Sequence, residues 1–171
     1  MKVAILAGGC FWCTEAIYQK IDGVVDIVPG YTGGNTKNPT YDEVSTGETG
    51  HAEAVKITFD ESKINFEKLL YFFFKTHDPT TLNKQGADIG TQYRSEIFYV
   101  DDDQKETAKE YISKIQKDYK DKIVTKISPA GEFFIAEDYH KNYYERNKNM
   151  PYCRFVIAPK LEKLEGEISK F

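Results

Sequence analysis

The hydrophobic period changes from two to about 3.6 residues between two neighbouring segments, and this change limits the folds open to the chain. In EAVKITF, alternate residues from Glu53 to Phe59 share one face of a predicted strand. In NFEKLLYFFFKTH, apolar residues recur at helical spacing from Phe66 to Phe74, which is typical of an amphipathic helix. A strand with one buried face and a helix with one apolar stripe favour helices packed on a sheet.

Similar patterns recur along the rest of the chain. Further strands are predicted at KVAIL, VVDIV, EIFYV and KIVTKI, and further helices at CFWCTEAIYQKI and DDDQKETAKEYISKIQKDY. Pro29-Gly30 is predicted to end the VVDIV strand, and residues 31–50 and 80–94 are predicted to be polar loops. EDYHKNYYERN is predicted to be a short helix and PKLEKLEGEISKF an amphipathic tail. Strands that alternate with helices and are joined without hairpins indicate an α/β or α+β two-layer domain.

Length and charge narrow the class of protein. The 171 residues carry a net charge of −4 and contain no repeat or Pro/Ser-rich linker, so we predict one domain over residues 1–171. An acidic chain is a poor partner for nucleic acid. The start MKVAILAGG is too short an apolar run for a signal peptide or a membrane span, so we expect a soluble, cytoplasmic protein.

The reactive groups are concentrated in GGCFWCTEA, where Cys10 and Cys13 flank Phe11 and Trp12. Cys10 follows two glycines that permit a tight turn between a predicted strand and a predicted helix. A helix N-terminus presents free N–H groups and about half a positive charge, which stabilise a thiolate. This position predicts a reactive Cys10 whose pKa is lowered into the range of roughly 3.5–7.5 found for such cysteines. A buried, unreactive cysteine is the alternative.

Several functions are compatible with a C-x-x-C at this position. A structural zinc site is disfavoured, because the chain offers one C-x-x-C and a distant Cys153 rather than two cysteine pairs. A zinc deaminase is disfavoured because its P-C-x-x-C follows its H-x-E, whereas His51 and Glu53 come after CFWC. The main alternatives are a single cysteine nucleophile with an apolar binding box and a thioredoxin-like dithiol–disulfide oxidoreductase that uses Cys10 and Cys13. A non-enzymatic alternative is a binding domain whose aromatic pocket recognises methionine or another small apolar group.

Four residues outside this motif are candidate partners of the nucleophile. Strand alternation points Glu53 to the core or a cleft, where an apolar setting would raise its pKa and let it act as an acid. A glutamate that bends out to solvent is the alternative. Tyr41, Asp88 and Tyr93 lie in the long polar loops and could surround an oxygen with hydrogen-bonding groups. His77 lies at a predicted helix end, where a cation is favoured, and no histidine is assigned to a metal.

Five blocks of the sequence, in order from residue 8 to about 144, closely resemble the peptide methionine sulfoxide reductase A family. They are GGCFWCTEA, VVDIVPGYTGG, NPTYDEVSTGETGHAEAVKITFD, FFFKTHDPTTLNKQGADIGTQYRSEIFY and SPAGEFFIAEDYHKNYY. The resemblance implies an α/β fold with a ferredoxin-like central mixed sheet, flanking helices and long active-site loops. It implies reduction of the S epimer of methionine sulfoxide, free or in proteins, without a metal or organic cofactor and with thioredoxin as reductant.

The resemblance also implies roles at the matching positions. Cys10 in GCFW is the nucleophile, and Glu53 in GHAEAV is the acid. Phe11 and Trp12 form the apolar wall that holds the methyl group of the substrate. Three residues surround the sulfoxide oxygen and the polar groups of the substrate: Tyr41 in NPTYDEV, and Asp88 and Tyr93 in ADIGTQYRS.

The sulfenic acid formed on Cys10 needs a second thiol, and here the sequence departs from the commonest family pattern. Many relatives have glycine at the position of Cys13, and some carry a Gly-rich tail with two cysteines. The single late cysteine, Cys153 in NMPYCRFVIAP, resembles the resolving cysteine of members with a Tyr-rich C-terminal loop. It is the favoured candidate, in a tail that begins at about residue 147. Cys13 is the alternative, because residues i and i+3 of a helix are neighbours.

Overall fold

The structure, a computed structural model, describes residues 1–168. Its strands are β1 (Lys2–Gly8), β2 (Val24–Thr32), β3 (Ala52–Phe59), β4 (Lys84–Gln85), β5 (Asp88–Ile89), β6 (Ser95–Tyr99), β7 (Lys126–Pro129) and β8 (Phe133–Ile135). Its helices are α1 (Phe11–Tyr18), α2 (Tyr41–Ser45), α3 (Phe66–Thr76), α4 (Asp102–Ile115), α5 (Tyr143–Arg146) and α6 (Ala158–Ile168). Shorter helical turns lie at Thr91–Tyr93, Gln116–Asp118 and Asp138–His140, with a π-helical turn at Cys153–Ile157. Within the described residues, no helix has the length and apolar composition of a membrane span.

The fold is a mixed α/β arrangement around one central sheet, whose strands follow the order β7-β6-β1-β3-β2-β8. Neighbouring strands are antiparallel except β6 and β7, which are parallel. β4 and β5 form a separate two-stranded ribbon. Because β1 is paired on both sides, its end at Gly8 is a fixed point from which the next helix starts.

The two faces of the sheet bury different side chains because residues alternate along each strand. On one face, Ala4 and Leu6 of β1 join the main core, to which α1, α3, α4 and α6 also contribute. On the other face, Ile5 and Ala7 join a smaller cluster with residues of β3 and β6. The predicted face of β3 is confirmed, since its four residues are at most 1% exposed: Glu53, Val55, Ile57 and Phe59.

β2 is longer than the sequence predicts, because Pro29-Gly30 does not end it. The Pro29 carbonyl accepts a hydrogen bond from the Ala136 N–H at 3.0 Å, and β8 pairs with β2 only from Gly30 onwards. Pro29 therefore lies where the ladder on that side ends, a position in which its missing N–H costs no sheet hydrogen bond. β2 and β3 also pair directly across the loop between them, so the prediction of strands joined without hairpins is wrong for this pair.

The C-terminal third differs from the prediction mainly in its boundaries. β7 begins at Lys126 rather than within the start of KIVTKI, because the Val124 N–H is taken by the Pro79 carbonyl outside the sheet. The predicted short helix is divided by Asn142, whose φ is +56°, into a 3₁₀ turn and α5. The predicted amphipathic tail forms α6 and buries Leu161 and Leu164; its last residues, 169–171, lie outside the described part of the chain.

Candidate active site

Cys10 lies in a tight turn between β1 and α1. Gly9 has a φ of +93°, a conformation that glycine adopts without strain, and Cys10 is the residue that precedes the first turn of α1. Cys10 is buried, with 8% of its surface exposed. The turn is packed from behind, since a Cβ atom on Gly8 would lie 2.8 Å from the ring of Phe73.

Glu53 lies beside this turn and is buried, which excludes the alternative of a glutamate bent out to solvent. Its Oε1 accepts a hydrogen bond from the Phe11 N–H at 3.2 Å, whereas Oε2 has no hydrogen-bond partner within residues 1–168. Burial raises the pKa of Glu53 to about 8, although the Phe11 N–H opposes the rise. The carboxyl is therefore mostly protonated at neutral pH. Because Oε1 faces a donor, the proton belongs on Oε2.

The two cysteines of the C-x-x-C interact directly. Burial raises the pKa of Cys10 well above that of a free thiol, and Cys13 and Glu53 add to the rise. The Cys10 thiol donates a hydrogen bond to Cys13, which lowers the pKa of Cys13 to about 7. The prediction of a lowered Cys10 pKa is therefore wrong in this structure, because burial beside a carboxyl outweighs the helix N-terminus.

An aromatic cluster surrounds the residues between the two cysteines. The Trp12 ring stacks on Tyr143 with centroids 3.7 Å apart, and its Nε1–H donates to Nδ1 of His140 at 3.0 Å. The buried Phe11 ring lies 5.1 Å from the His140 ring and 6.5 Å from the Tyr41 ring, measured between centroids. These contacts fix the Trp12 indole and place it in one aromatic cluster with Tyr143 and His140.

Tyr41 and Tyr93 come from different loops, and both interact electrostatically with Glu53. Tyr41 begins α2, and its N–H donates to Glu137 at 2.9 Å. Tyr93 ends the 3₁₀ turn Thr91–Tyr93. Burial raises the pKa of both phenols, and Glu53 is the next largest cause for each. Both hydroxyls therefore stay protonated and can donate hydrogen bonds near Glu53.

Asp88 is connected to the cysteine pair through Tyr152. The Tyr152 hydroxyl donates to Asp88 Oδ2 at 2.7 Å and lies 3.7 Å from Cys13 Sγ. The Tyr152 ring also meets the edge of Trp12, with centroids 5.8 Å apart. The segment between α5 and α6 thus covers the site, with Tyr152 above the two cysteines.

All three cysteines are free, and Cys153 directly follows Tyr152. Cys153 is fully buried at the start of the π-helical turn. Burial raises its pKa, and the nearby Cys13 adds to the rise. Cys13 therefore interacts electrostatically with both Cys10 and Cys153.

Four residues of the C-terminal third contribute to the site without having been predicted from the sequence. They are Glu137, His140, Tyr143 and Tyr152. Glu137 holds the hydroxyl of Tyr31 and the N–H of Tyr41, both at 2.9 Å. Aromatic enrichment in EDYHKNYY was the available signal, but contacts over more than 90 positions leave no periodicity to detect.

The remaining histidines have structural partners. His51 accepts from the Gly34 N–H at 3.0 Å and contacts the Thr36 carbonyl at 2.6 Å, which ties the β2–β3 loop together. Burial lowers the pKa of His77 to about 4, so the prediction of a helix-end cation at His77 is wrong. Within residues 1–168, no group of three histidine, cysteine or carboxylate side chains is arranged to hold a metal ion.

Comparisons with known proteins agree on one family. The family model for peptide methionine sulfoxide reductase matches residues 2–170. Peptide methionine sulfoxide reductase MsrA 1 of Rhodopirellula baltica is 58% identical over 162 residues, which cover 95% of this chain and 84% of that protein.

Solved structures give the same result. Mxr1 of Saccharomyces cerevisiae in reduced form has a TM-score of 0.85 and 38% identity, and the match covers 89% of this chain and 88% of that one. Mxr1 in complex with Trx2 matches with a TM-score of 0.61 and 29% identity, over 83% of this chain and 84% of that one. The chain, with its Cys10 turn and buried Glu53, therefore belongs to the peptide methionine sulfoxide reductase family.

Proposed function

We propose that the protein reduces the S epimer of methionine sulfoxide, free or in proteins, to methionine. The observation that carries this proposal is the buried Glu53 carboxyl, held by the N–H of the residue that follows Cys10. A sulfoxide sulfur is a poor electrophile because oxide is a poor leaving group. An acid that neutralises the oxygen beside a thiol nucleophile is the arrangement that this reaction needs.

In the first step, Cys10 attacks the sulfoxide sulfur while Glu53 donates its Oε2 proton to the oxygen, and the Glu53 carboxylate takes up the proton of the Cys10 thiol. Tyr41 and Tyr93 stabilise that oxygen through their protonated hydroxyls. The sulfoxide oxygen is transferred to Cys10, methionine leaves, and Cys10 becomes a sulfenic acid. The sulfur of methionine is reduced by two electrons and the sulfur of Cys10 is oxidised by two.

The proposed substrate pocket distinguishes the two sulfoxide epimers by its shape. The methyl group lies against Phe11 and Trp12, and the oxygen lies at Glu53. Asp88 binds polar groups of the substrate once Tyr152 releases it. With the methyl group and the oxygen both fixed, the rest of the side chain can leave the pocket in one direction only, which selects one hand of the sulfur.

For resolution of the sulfenic acid, the contacts favour Cys13 as the first thiol. Cys13 interacts with Cys10 and takes the lower pKa of the pair. Its attack on the sulfenic acid forms a Cys10–Cys13 disulfide and releases water. Cys153 then exchanges with Cys13, which frees Cys10 and places the disulfide between Cys13 and Cys153. The sequence favours Cys153 as the direct resolving residue, and the two routes differ in the first disulfide formed.

We propose thioredoxin as the reductant of the final disulfide, which agrees with the existence of an Mxr1 complex with Trx2. Free cysteines and a thiol-dependent cycle suit a reducing compartment such as the cytoplasm. For the fold, we propose a single domain with a ferredoxin-like unit built from β1, α1, β2, β3, α3 and β6. The antiparallel order β6-β1-β3-β2 supports this unit.

The test is an assay of separated methionine sulfoxide epimers, with the Cys10→Ser variant as control. Without reductant, we expect up to two methionines per enzyme from the S epimer, because exchange with Cys153 frees Cys10 for a second reaction. We expect none from the R epimer and none from the variant. Mass spectrometry of the quenched enzyme identifies the first disulfide. Reduction of insulin disulfides without sulfoxide turnover would instead support the thioredoxin-like alternative. Sulfoxide binding that survives Cys10→Ser, without turnover in either protein, would support the binding domain.

A further inference from the structure

Glu15, on α1, is a buried carboxyl that the proposed reaction does not use. It is 1% exposed, and its Oε1 accepts a hydrogen bond from the Asn142 N–H at 3.0 Å, 127 positions further along the chain. Its Oε2 has no hydrogen-bond partner within residues 1–168. Burial of a carboxyl costs free energy unless hydrogen bonds offset it. The contact with Asn142 therefore helps to keep Glu15 in the interior.

Asn142 has a backbone conformation that depends on its surroundings. Its φ is +56°, in the left-handed region that costs free energy for residues other than glycine, although asparagine adopts it more readily than most. Two side chains of α1 bind it: Glu15 accepts from its N–H, and the Gln19 amide donates to its side-chain oxygen. The left-handed residue directs the chain into α5, whose first residue is Tyr143. The contacts from α1 therefore determine where Tyr143 lies.

Tyr143 covers the Trp12 indole on the same face of α1. The two rings stack with centroids 3.7 Å apart and planes 7° from parallel. Trp12, Glu15 and Gln19 are spaced i, i+3 and i+7, so they lie on one face of the helix. Asn142 and Tyr143 lie along this face, one bound by Glu15 and Gln19 and the other stacked on Trp12. Glu15 thus fixes the backbone from which the stacking ring projects.

We propose that Glu15 is a positioning residue for the substrate pocket: by binding the Asn142 N–H, it holds the Tyr143 ring on the Trp12 indole. This inference rests on the proposed function, in which Trp12 forms part of the wall for the methyl group of the substrate. Glu15 acts through Tyr143 and takes no part in the chemical step. A wall that binds the substrate and the transition state equally well affects the half-saturating concentration and leaves the limiting rate unchanged.

The experiment compares Glu15→Ala, Glu15→Gln, Tyr143→Leu and the double variant Glu15→Ala/Tyr143→Leu. Glu15→Gln keeps an oxygen for the Asn142 N–H and places its amide nitrogen where Oε2 has no partner. Rapid quench of the first methionine formed, over a range of concentrations of the free S epimer, gives the half-saturating concentration and the limiting rate. A second readout without substrate is acrylamide quenching of Trp12, the single tryptophan of the chain.

Gln104→Ala is the matched control, because Gln104 makes the same kind of contact away from the pocket. Its buried side chain, on α4, accepts from the Val100 N–H at 3.0 Å. It also donates to the carbonyl of Val3, at the opposite end of β1 from the Cys10 turn. This variant therefore loses a buried contact to a backbone N–H without a change in the pocket.

We expect Glu15→Ala to raise the half-saturating concentration about threefold to tenfold, the effect of one lost hydrogen bond, with a limiting rate within about twofold of the wild type. Trp12 should be quenched more strongly, because Tyr143 no longer covers the indole. Glu15→Gln and Gln104→Ala should resemble the wild type in both readouts. Tyr143→Leu should raise the half-saturating concentration at least as much as Glu15→Ala, and the double variant should raise it no further, since the two residues act as one unit.

Multiplied effects of the two substitutions in the double variant would overturn the inference, as would wild-type quenching of Trp12 in Glu15→Ala or an equal effect of Gln104→Ala. If Glu15→Ala does not fold, Glu15→Asp, whose carboxyl is one methylene shorter, replaces it in both readouts. These failures are distinct from failure of the proposed function. In that case the wild-type protein itself would form no methionine, and the quenching of Trp12 would still test whether Glu15 holds Tyr143 in place.

Discussion

The protonation of Glu53 affects both the proposed acid catalysis and the free energy of unfolding. Its pKa is about 8 in the fold and near 4.5 when exposed, so between these pH values the folded state binds more protons than the unfolded state. Stability is therefore greatest in acid and falls as the pH rises towards 8, by up to about 1.4 kcal/mol per pH unit. We expect Glu53→Gln to become progressively more stable than the wild type from pH 5 to pH 8, measured by urea unfolding. Glu110→Gln, on the exposed side of α4, should show no such trend.

The same substitution should remove the acid from the first step. Positioned acid catalysis is typically worth about 10²–10⁴-fold, so Glu53→Gln should slow single-turnover methionine formation by that factor at pH 7. In the wild type, the contribution of the acid should fall above pH 8, where Glu53 ionises. Rapid-quench measurement of methionine over a pH series checks both expectations. Near-wild-type turnover in the variant would remove Glu53 from the mechanism.

Individual residues differ in how well the sequence predicts them. The burial of Glu53 follows from alternation with Val55 and Ile57, because a strand has only two faces. The raised pKa of Cys10 does not follow from its place before a helix, since it depends on neighbours from other elements. His140 was not predicted as the partner of Trp12, because the two residues are 128 positions apart and meet only in the fold.

At the scale of elements, the turn between β1 and α1 depends on the absence of a side chain at Gly8. The nearest atoms to an added Cβ would be those of Phe73 and His77, at 2.8 and 3.2 Å, and Phe73 is fully buried and cannot move aside. We expect Gly8→Ala to destabilise the protein by about 1–3 kcal/mol, which is typical of overpacking. Urea unfolding measures this loss. Gly131→Ala is the control, because its Cβ would meet no atom within 4 Å; equal losses would contradict the role of packing.

The segment that covers the site is held in part by one hydroxyl. Tyr152→Phe removes the hydrogen bond to Asp88 and the contact with Cys13. A net hydrogen bond is worth roughly 0.5–1.5 kcal/mol, so the segment should open about twofold to tenfold more often. Iodoacetamide should then label Cys153 faster by that factor, as measured by mass spectrometry. Tyr144→Phe should leave the labelling rate unchanged, and unchanged labelling in Tyr152→Phe would show that the hydroxyl does not hold the segment closed.

Elements with a strong hydrophobic period were predicted correctly, and their boundaries were predicted less well. α3 agrees closely because its apolar stripe is long and Asn65 caps its first turn. The end of β2 and the start of β7 depend on hydrogen bonds at Pro29 and Val124 to distant backbone groups. Such pairings leave no local pattern, so the sequence gives the type of element and tertiary contacts decide where it ends.

At the scale of the whole molecule, the first strand and the last helix belong to one core. Ala4 of β1 and Leu164 of α6 lie in the same cluster. We therefore expect one cooperative unfolding transition, in which Trp12 fluorescence and far-ultraviolet circular dichroism coincide. Trp12 is the single tryptophan of the chain, so its emission reports the site alone. An earlier transition of Trp12 would contradict the prediction and show that the site loosens before the sheet.

The π-helical turn from Cys153 to Ile157 gives Cys153 a way to change its orientation without movement of α6. It holds one more residue than an α-helical turn would, directly before α6. Release of that extra residue would rotate the Cys153 side chain by about 100° around the axis, the angle of one residue in an α-helix. Leu161 and Leu164 could meanwhile keep their places. The Cys153 thiol can thus rotate about the helix axis while α6 stays packed on the core. The distance that it can move is set by the helical register and not by the length of a flexible segment.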